Sequence, residues 1–241
     1  MATEVLRSLD LHVLLNNHAE TFLTHTSSEA TGMTRIKLAI FDVTPFRAVA
    51  LATVLSMTFT PLAAQDFSKG YDAYQAGDYV TALQEWTPFA EAGYADAQYN
   101  LGLMYKNGNG VPQDYAEAAR WYRLAANQGH ARAQSNLGQM YMMGQGVVED
   151  DAEAVRWYRL AANQGHALAQ SKLGMMYTIG QGVLQDSLMA HMWYNISSAN
   201  GNDFGGTGRD GIAEGMTQQA IEQAQAMARD CMSSGYQNCG Y

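Results

Sequence analysis

Residues 95–130 recur position for position at 131–166 and again at 167–202, and between the first two copies 26 of 36 residues are identical. Self-similarity at this period restricts the fold before any local reading does. Each copy must be one supersecondary unit that buries its apolar face on its neighbours, so the product is an elongated array and not a single central core. The hydrophobic share of 47% is ample for such an array, and 15% charged residues argue against disorder.

Each unit reads as two helices. In the first, helix A, Ala97, Leu101, Met104 and Tyr105 stand at i, i+4, i+7 and i+8, the spacing of one apolar helical face. Gly108 follows the last periodic residue, where a left-handed cap suits glycine, so helix A ends near Asn107. After a Gly-x-Gly-Val turn, Asp114 stands three residues before Glu117 and Asp150 three before Glu153, the spacing of a reciprocal N-terminal cap. Helix B begins there and runs through Trp121 and Tyr122; in the third unit Met189 replaces the glutamate, which predicts a weaker cap. Gly102, Gly138 and Gly174 fall mid-helix at a cost of about 1 kcal/mol each relative to alanine. A recurring cost implies close helix crossings, with Trp121 and its equivalents expected to cover the gap.

The string Ala-x-x-x-Leu-Gly, Tyr-x-x-Gly-x-Gly-Val, Asp, Ala-x-x-Trp-Tyr and Ala-Ala-x-Gln-Gly closely resembles the Sel1-like repeats, relatives of the tetratricopeptide class. The resemblance covers roughly residues 67–202 and implies an all-α, right-handed alpha solenoid of antiparallel helix pairs, with about three full repeats plus capping helices. Residues 65–94 read as a degenerate N-terminal pair in which the aromatic, Trp86, is displaced by one position from Trp121. After Gly201 the sequence register fails. Residues 203–241 are expected to hold a glycine-rich loop up to Gly208, one or two turns over Arg209–Gly215, and a capping helix starting at Thr217.

From Met33 the chain carries Arg35, Lys37 and Arg47, then an apolar run from Ala48 to Ala64 that ends Leu62-Ala63-Ala64-Gln65. These are the parts of a secretory signal peptide over 33–64, with cleavage after Ala64. Residues 1–32 share nothing with the repeats and are expected to be an upstream extension preceding the true initiator, Met33. Both cysteines, Cys231 and Cys239, fall near the end, a disulfide candidate in an oxidising compartment and idle thiols in the cytosol. The expected location is periplasmic or secreted, with membrane contact only through the signal segment before cleavage.

The net charge of −9 disfavours nucleic acid, which calls for a basic stripe. No nucleophile elbow, His-Glu-x-x-His or phosphate-binding loop occurs, and the Gly-x-Gly turns join helix to helix three times over. His130 and His166 recur at the repeat period and read as a repeated hydrogen bond between units, not as a metal site; Met104, Met140 and Met176 read as core filler. No cofactor is implied. Packing should repeat where geometry repeats, so residues that vary along one face of helix A are candidates for recognition. These are Tyr99, Leu103 and Lys106, then Ser135, Gln139 and Met142, then Ser171, Met175 and Thr178. The expected function is a non-catalytic adaptor in the cell envelope that binds a protein or peptide on a concave face lined by helix A. The alternatives are a purely structural spacer and a hydrolase acting on cell-wall material or beta-lactams, as the resemblance to cysteine-rich relatives implies. Mass spectrometry of the mature protein is expected to find Gln65 at the N-terminus and no peptide from residues 1–32.

Overall fold

Ten helices and no strand make up the described residues, 66–240, of the computed structural model. The expected signal segment and upstream extension lie outside the described residues. The helices are α1 (Phe67–Gln75), α2 (Tyr79–Glu91), α3 (Ala95–Asn107), α4 (Tyr115–Asn127), α5 (Ala131–Met143), α6 (Asp151–Ala162), α7 (Ala167–Ile179), α8 (Ser187–Ala199), α9 (Asp203–Ala213) and α10 (Gln218–Ser233). From α1 to α9 each helix packs on the next, and α10 packs on α8. Among the described residues none is long and apolar enough to cross a membrane.

Local chemistry sets the helix ends. Gly108, Gly144 and Gly180 close α3, α5 and α7 in the left-handed conformation. Asp114, Asp150 and Asp186 cap α4, α6 and α8 by accepting from backbone N–H groups of the first turn. The cap is not reciprocal: the N–H of Asp114 donates instead to the carbonyl of Tyr105 at 2.9 Å, which closes the turn between the two helices. Glu117 is thereby free to pair with Arg120, and Glu153 pairs with Arg156 at 2.8 Å. The third unit needs no glutamate either, because Asp186 accepts from Leu188 and Met189 at 2.9 and 3.1 Å.

The core lies in seams between units. Ala82, Trp86 and Ala90 of α2 meet Ala97, Leu101 and Met104 of α3, and Trp121 joins that cluster from α4. One period on, α4 and α5 form the next seam, joined by Trp157. The tryptophans therefore serve the seams, and it is the tyrosine beside each that covers the mid-helix glycine. A Cβ on Gly102 would lie 2.6 Å from the Tyr122 ring, one on Gly138 would lie 3.1 Å from Tyr158, and one on Gly174 would lie 2.7 Å from Tyr194. The displaced aromatic of the first pair now makes sense. Trp86 occupies the tyrosine position and lies on Gly70, where a Cβ would be 2.5 Å from its indole nitrogen. Glu85 takes the tryptophan position and pairs with Lys69.

Polar ties cross each seam. The buried side chains of Gln98, Gln134 and Gln170 donate to the carbonyls of Ala90, Ala126 and Ala162 at the end of the preceding helix B, at 3.1, 3.0 and 3.0 Å. Their own amide oxygens accept from Gln128, Gln164 and Asn200 at 2.7, 2.7 and 2.8 Å. Gly146 shows why the second turn glycine recurs: at φ 69° its absent Cβ would fall 2.2 Å from the backbone of Tyr115 in the preceding unit.

The C-terminal segment departs from expectation. Helix A starts at Ala95, Ala131 and Ala167, and the same 36-residue step lands on Asp203, the start of α9. Asn202 caps it by accepting from the Phe204 N–H at 3.0 Å. The glycines that suggested a loop admit close packing: a Cβ on Gly205 would lie 2.5 Å from the Ser198 nitrogen, and one on Gly208 2.5 Å from the Tyr194 ring. The structural period thus outlasts the sequence repeat. Thr217 caps α10 through the Ala220 N–H at 3.2 Å, and Cys231 and Cys239 are bonded. Between the two cysteines, Tyr236 adopts a left-handed φ of 66°. Its hydroxyl accepts from the Asn200 side chain at 2.9 Å, which ends the polar series.

Gly102→Ala and Gly174→Ala are expected to lower the melting temperature, because overpacking of about 1–3 kcal/mol outweighs the roughly 1 kcal/mol that alanine gains in a helix. Gly138→Ala, with 3.1 Å to the ring, is expected to change it least of the three.

Candidate functional site

Because Ala97, Leu101 and Met104 turn into the seam, the opposite side of helix A is left with positions 96, 99, 100, 103, 106 and 107, and the matching positions of α5 and α7. These fall at i, i+3, i+4, i+7, i+10 and i+11, a single helical face. Tyr99, Leu103, Lys106, Gln139, Met142, Met175 and Thr178 are half-buried on it. Ser135 and Ser171 are not at the surface, being 4% and 8% exposed. The position they share with Tyr99 is deep, and a side chain as short as serine ends below the rim that a tyrosine reaches. The Tyr99 ring stacks on His130 with centroids 4.6 Å apart. Thr178 turns its hydroxyl back onto the Gly174 carbonyl at 2.8 Å.

Two further positions complete the face. Asp96, Arg132 and Leu168 differ in all three units, as do Asn107, Met143 and Ile179. Met143, Leu168 and Ile179 are 50%, 44% and 59% exposed, which makes them the most open large apolar side chains of the face. The criterion of variation along one face finds them too when it is carried to both ends of the helix.

The histidines act as helix caps. His130 Nδ1 accepts from the Ala133 N–H at 3.1 Å, and His166 Nδ1 from the Ala169 N–H at 3.3 Å. An acceptor at Nδ1 places the proton on Nε2, so both imidazoles are neutral. His130 also reaches back to the first turn of helix A in its own unit, its Nε2 lying 3.2 Å from Asp96 Oδ1. His166 lacks that contact because Arg132 stands where Asp96 stands one unit earlier. Burial pushes His130 below its ordinary value of 6.5, against the pull of Asp96; for His166 burial acts first, then the Arg132 charge. Burial likewise holds His191 low. Among the described residues no group of three or more His, Cys, Asp or Glu could hold a metal ion.

The Sel1 repeat matches residues 95–130, 131–166 and 167–202. The crystal structure of a Sel1 repeat protein from Oxalobacter formigenes superposes with a TM-score of 0.60 at 30% identity, over 70% of this chain and 78% of that one. The chain belongs to the Sel1 repeat family. A protective antigen present in uropathogenic Escherichia coli strains, displaying an SLR fold, aligns with a TM-score of 0.62 at 38% identity, over 74% of this chain and 38% of its own. Two curated proteins, the DAP3-binding cell death enhancer 1 of Rattus norvegicus and of Mus musculus, are each 39% identical over 49 residues, 20% of this chain. The chain spans 10% of the length of these curated relatives. Sel1 repeats mediate protein–protein interaction, and the family is typically a non-catalytic scaffold.

In this Sel1 array the two capping histidines and the buried His191 give stability a pH dependence of defined sign. The unfolded chain takes up protons near the ordinary value of 6.5, whereas the folded values of His130, His166 and His191 lie lower. Their contribution is therefore complete above about pH 6.5 and is lost as pH falls through the lowered folded values. Thermal melts are expected to show a drop between about pH 7 and pH 5. His130→Asn with His166→Asn, which keeps a cap that does not titrate, is expected to shrink that drop.

Proposed function

We propose that the chain is a non-catalytic adaptor of the cell envelope that binds a protein partner through the helix A face. One observation carries the reading. Most positions that recur between units build the helix pairs and the seams, and the helix A positions that vary gather on the side of that helix that packing leaves uncovered. Helix B exposes Leu124 and Leu160 at 39% and 40%, and the helix A face opens further, with Met143, Leu168 and Ile179 at 50%, 44% and 59%. A contiguous series of such faces from stacked units is the surface that repeat arrays offer to extended ligands. Membership in a family of interaction repeats supports the same reading, as do the curated relatives, which are DAP3-binding proteins. Export is favoured by the composition of residues 33–64 and by the Cys231–Cys239 bond, which suits an oxidising compartment.

A photo-reactive amino acid at position 143 or 179 is expected to cross-link the same protein from envelope extracts, and one at position 156, on helix B, is not. Met143→Asp with Ile179→Asp is expected to lower that capture about tenfold, the scale of losing a central apolar anchor, with melting unchanged. Equal capture from both sides of the array would overturn the reading.

A further inference from the structure

The helix A face differs electrically from the rest of the array. On helix B every arginine of the repeats is engaged. Arg120 pairs with Glu117 and lies 4.0 Å over the Trp121 ring, and Arg156 pairs with Glu153 and lies 4.2 Å over Trp157. Arg123 and Arg159 donate to the hydroxyls of Tyr141 and Tyr177 at 2.7 and 2.6 Å. The helix A face instead carries Lys106, Arg132 and Lys172, one cation from each unit, and none has a carboxylate within ion-pair reach among the described residues. The face has one carboxylate, Asp96, and it is occupied by His130.

A chain of net charge −9 would neutralise such cations easily if stability alone were at stake. Exposed ion pairs add little to stability, but unpaired cations on one face steer and select an anionic partner. Apolar side chains are interleaved with them: Leu168 stands between Arg132 and Lys172 in sequence, and Met175 follows Lys172 on the same helical face. Lys106 is the twelfth residue of α3, Arg132 the second of α5 and Lys172 the sixth of α7. At 1.5 Å per residue, the three span about 15 Å along the helix direction while stepping from unit to unit. A ligand meeting all three therefore crosses the helices and does not follow one of them.

We propose that the helix A face docks a linear segment of a partner protein in which carboxylate side chains alternate with bulky apolar ones. The proposal rests on the adaptor reading above and names the partner chemistry. Nucleic acid fits less well, because phosphate binding calls for a dense basic stripe and not three cations set among methionine, leucine and isoleucine.

The test is selection of a random peptide library on the full chain, followed by anisotropy titration of the peptides recovered. Peptides rich in Asp and Glu together with Leu, Ile, Phe or Met are expected. Their affinity should weaken at least about tenfold when salt is raised, as screening of unpaired charges demands. The variant Lys106→Ala, Arg132→Ala, Lys172→Ala should weaken binding about tenfold or more, and Arg120→Ala with Arg156→Ala about twofold or less. Melting curves of each variant check that the array is intact. Neutral or basic peptides, bound equally by the triple variant yet lost in Met143→Asp with Ile179→Asp, would overturn the acidic partner and leave the docking face standing. Binding indifferent to both sets of substitutions would overturn the docking face as well, and an empty selection would count against both. A single-stranded oligonucleotide bound as tightly as the peptides, and released by the triple variant, would assign the cations to phosphate and overturn the proposal.

Discussion

In each helix pair the ring of Tyr122, Tyr158 or Tyr194 lies against the backbone of a mid-helix glycine, in space that a side chain would otherwise fill. This contact sets how closely helix B approaches helix A. It explains why a residue that weakens an isolated helix recurs at Gly102, Gly138 and Gly174, since the lost propensity is offset by burial of a whole aromatic ring. With the pair closed, the neighbouring tryptophan points the other way and joins the seam core, so adjacent residues on one helix serve two different interfaces. The first pair reaches the same result with another residue, Trp86 on Gly70. The contact is thus a requirement of geometry that more than one aromatic can meet.

Seams, not a central core, hold the units together, and each combines an apolar cluster with a buried polar tie. A glutamine amide has donors and an acceptor to satisfy, and Gln98, Gln134 and Gln170 donate to the preceding unit and accept within their own. A slip of one unit against the next would leave the glutamine N–H and the carbonyl it meets buried and unpaired, at about 1–3 kcal/mol each. The tie thereby fixes register where apolar contacts alone would tolerate sliding. At the last unit Asn200 takes over the donor role and finds Tyr236, held within the Cys231–Cys239 loop. A stack fixed in this way presents helix A side chains at set spacings, which is what a recognition face built from several units requires.

Much of this was legible from residue order. Capping glycines and aspartates are local devices, and the helix ends at Asn107, Met143 and Ile179 follow from them. Other features were misread because their cause lies across the chain. The glycines at 205 and 208 carry the composition of a loop, yet they form α9 because Tyr194 and Ser198 leave no room for a Cβ. Serine at 135 and 171 varies from Tyr99 as a surface residue would, but burial depends on depth at the seam, which periodicity does not measure. The histidines, which recur as a contact between units would, do cross the unit boundary, each accepting from an N–H three residues on in the next helix A.

By itself, the sequence determined the period, the two-helix unit, the helix caps and the family, because each rests on neighbours within a few residues or on repetition of the string. Only the tertiary structure decided which aromatic covers which glycine, that a fourth helix A continues the array beyond the last recognisable repeat, and which side of helix A stays open. It also showed that Lys106, Arg132 and Lys172 share that side without carboxylate partners among the described residues. The physical reason is that close approach and exposure are set by packing between helices, whose touching atoms lie many residues apart in the chain, as Gly102 and Tyr122 do. A linear pattern records those atoms without recording their distance.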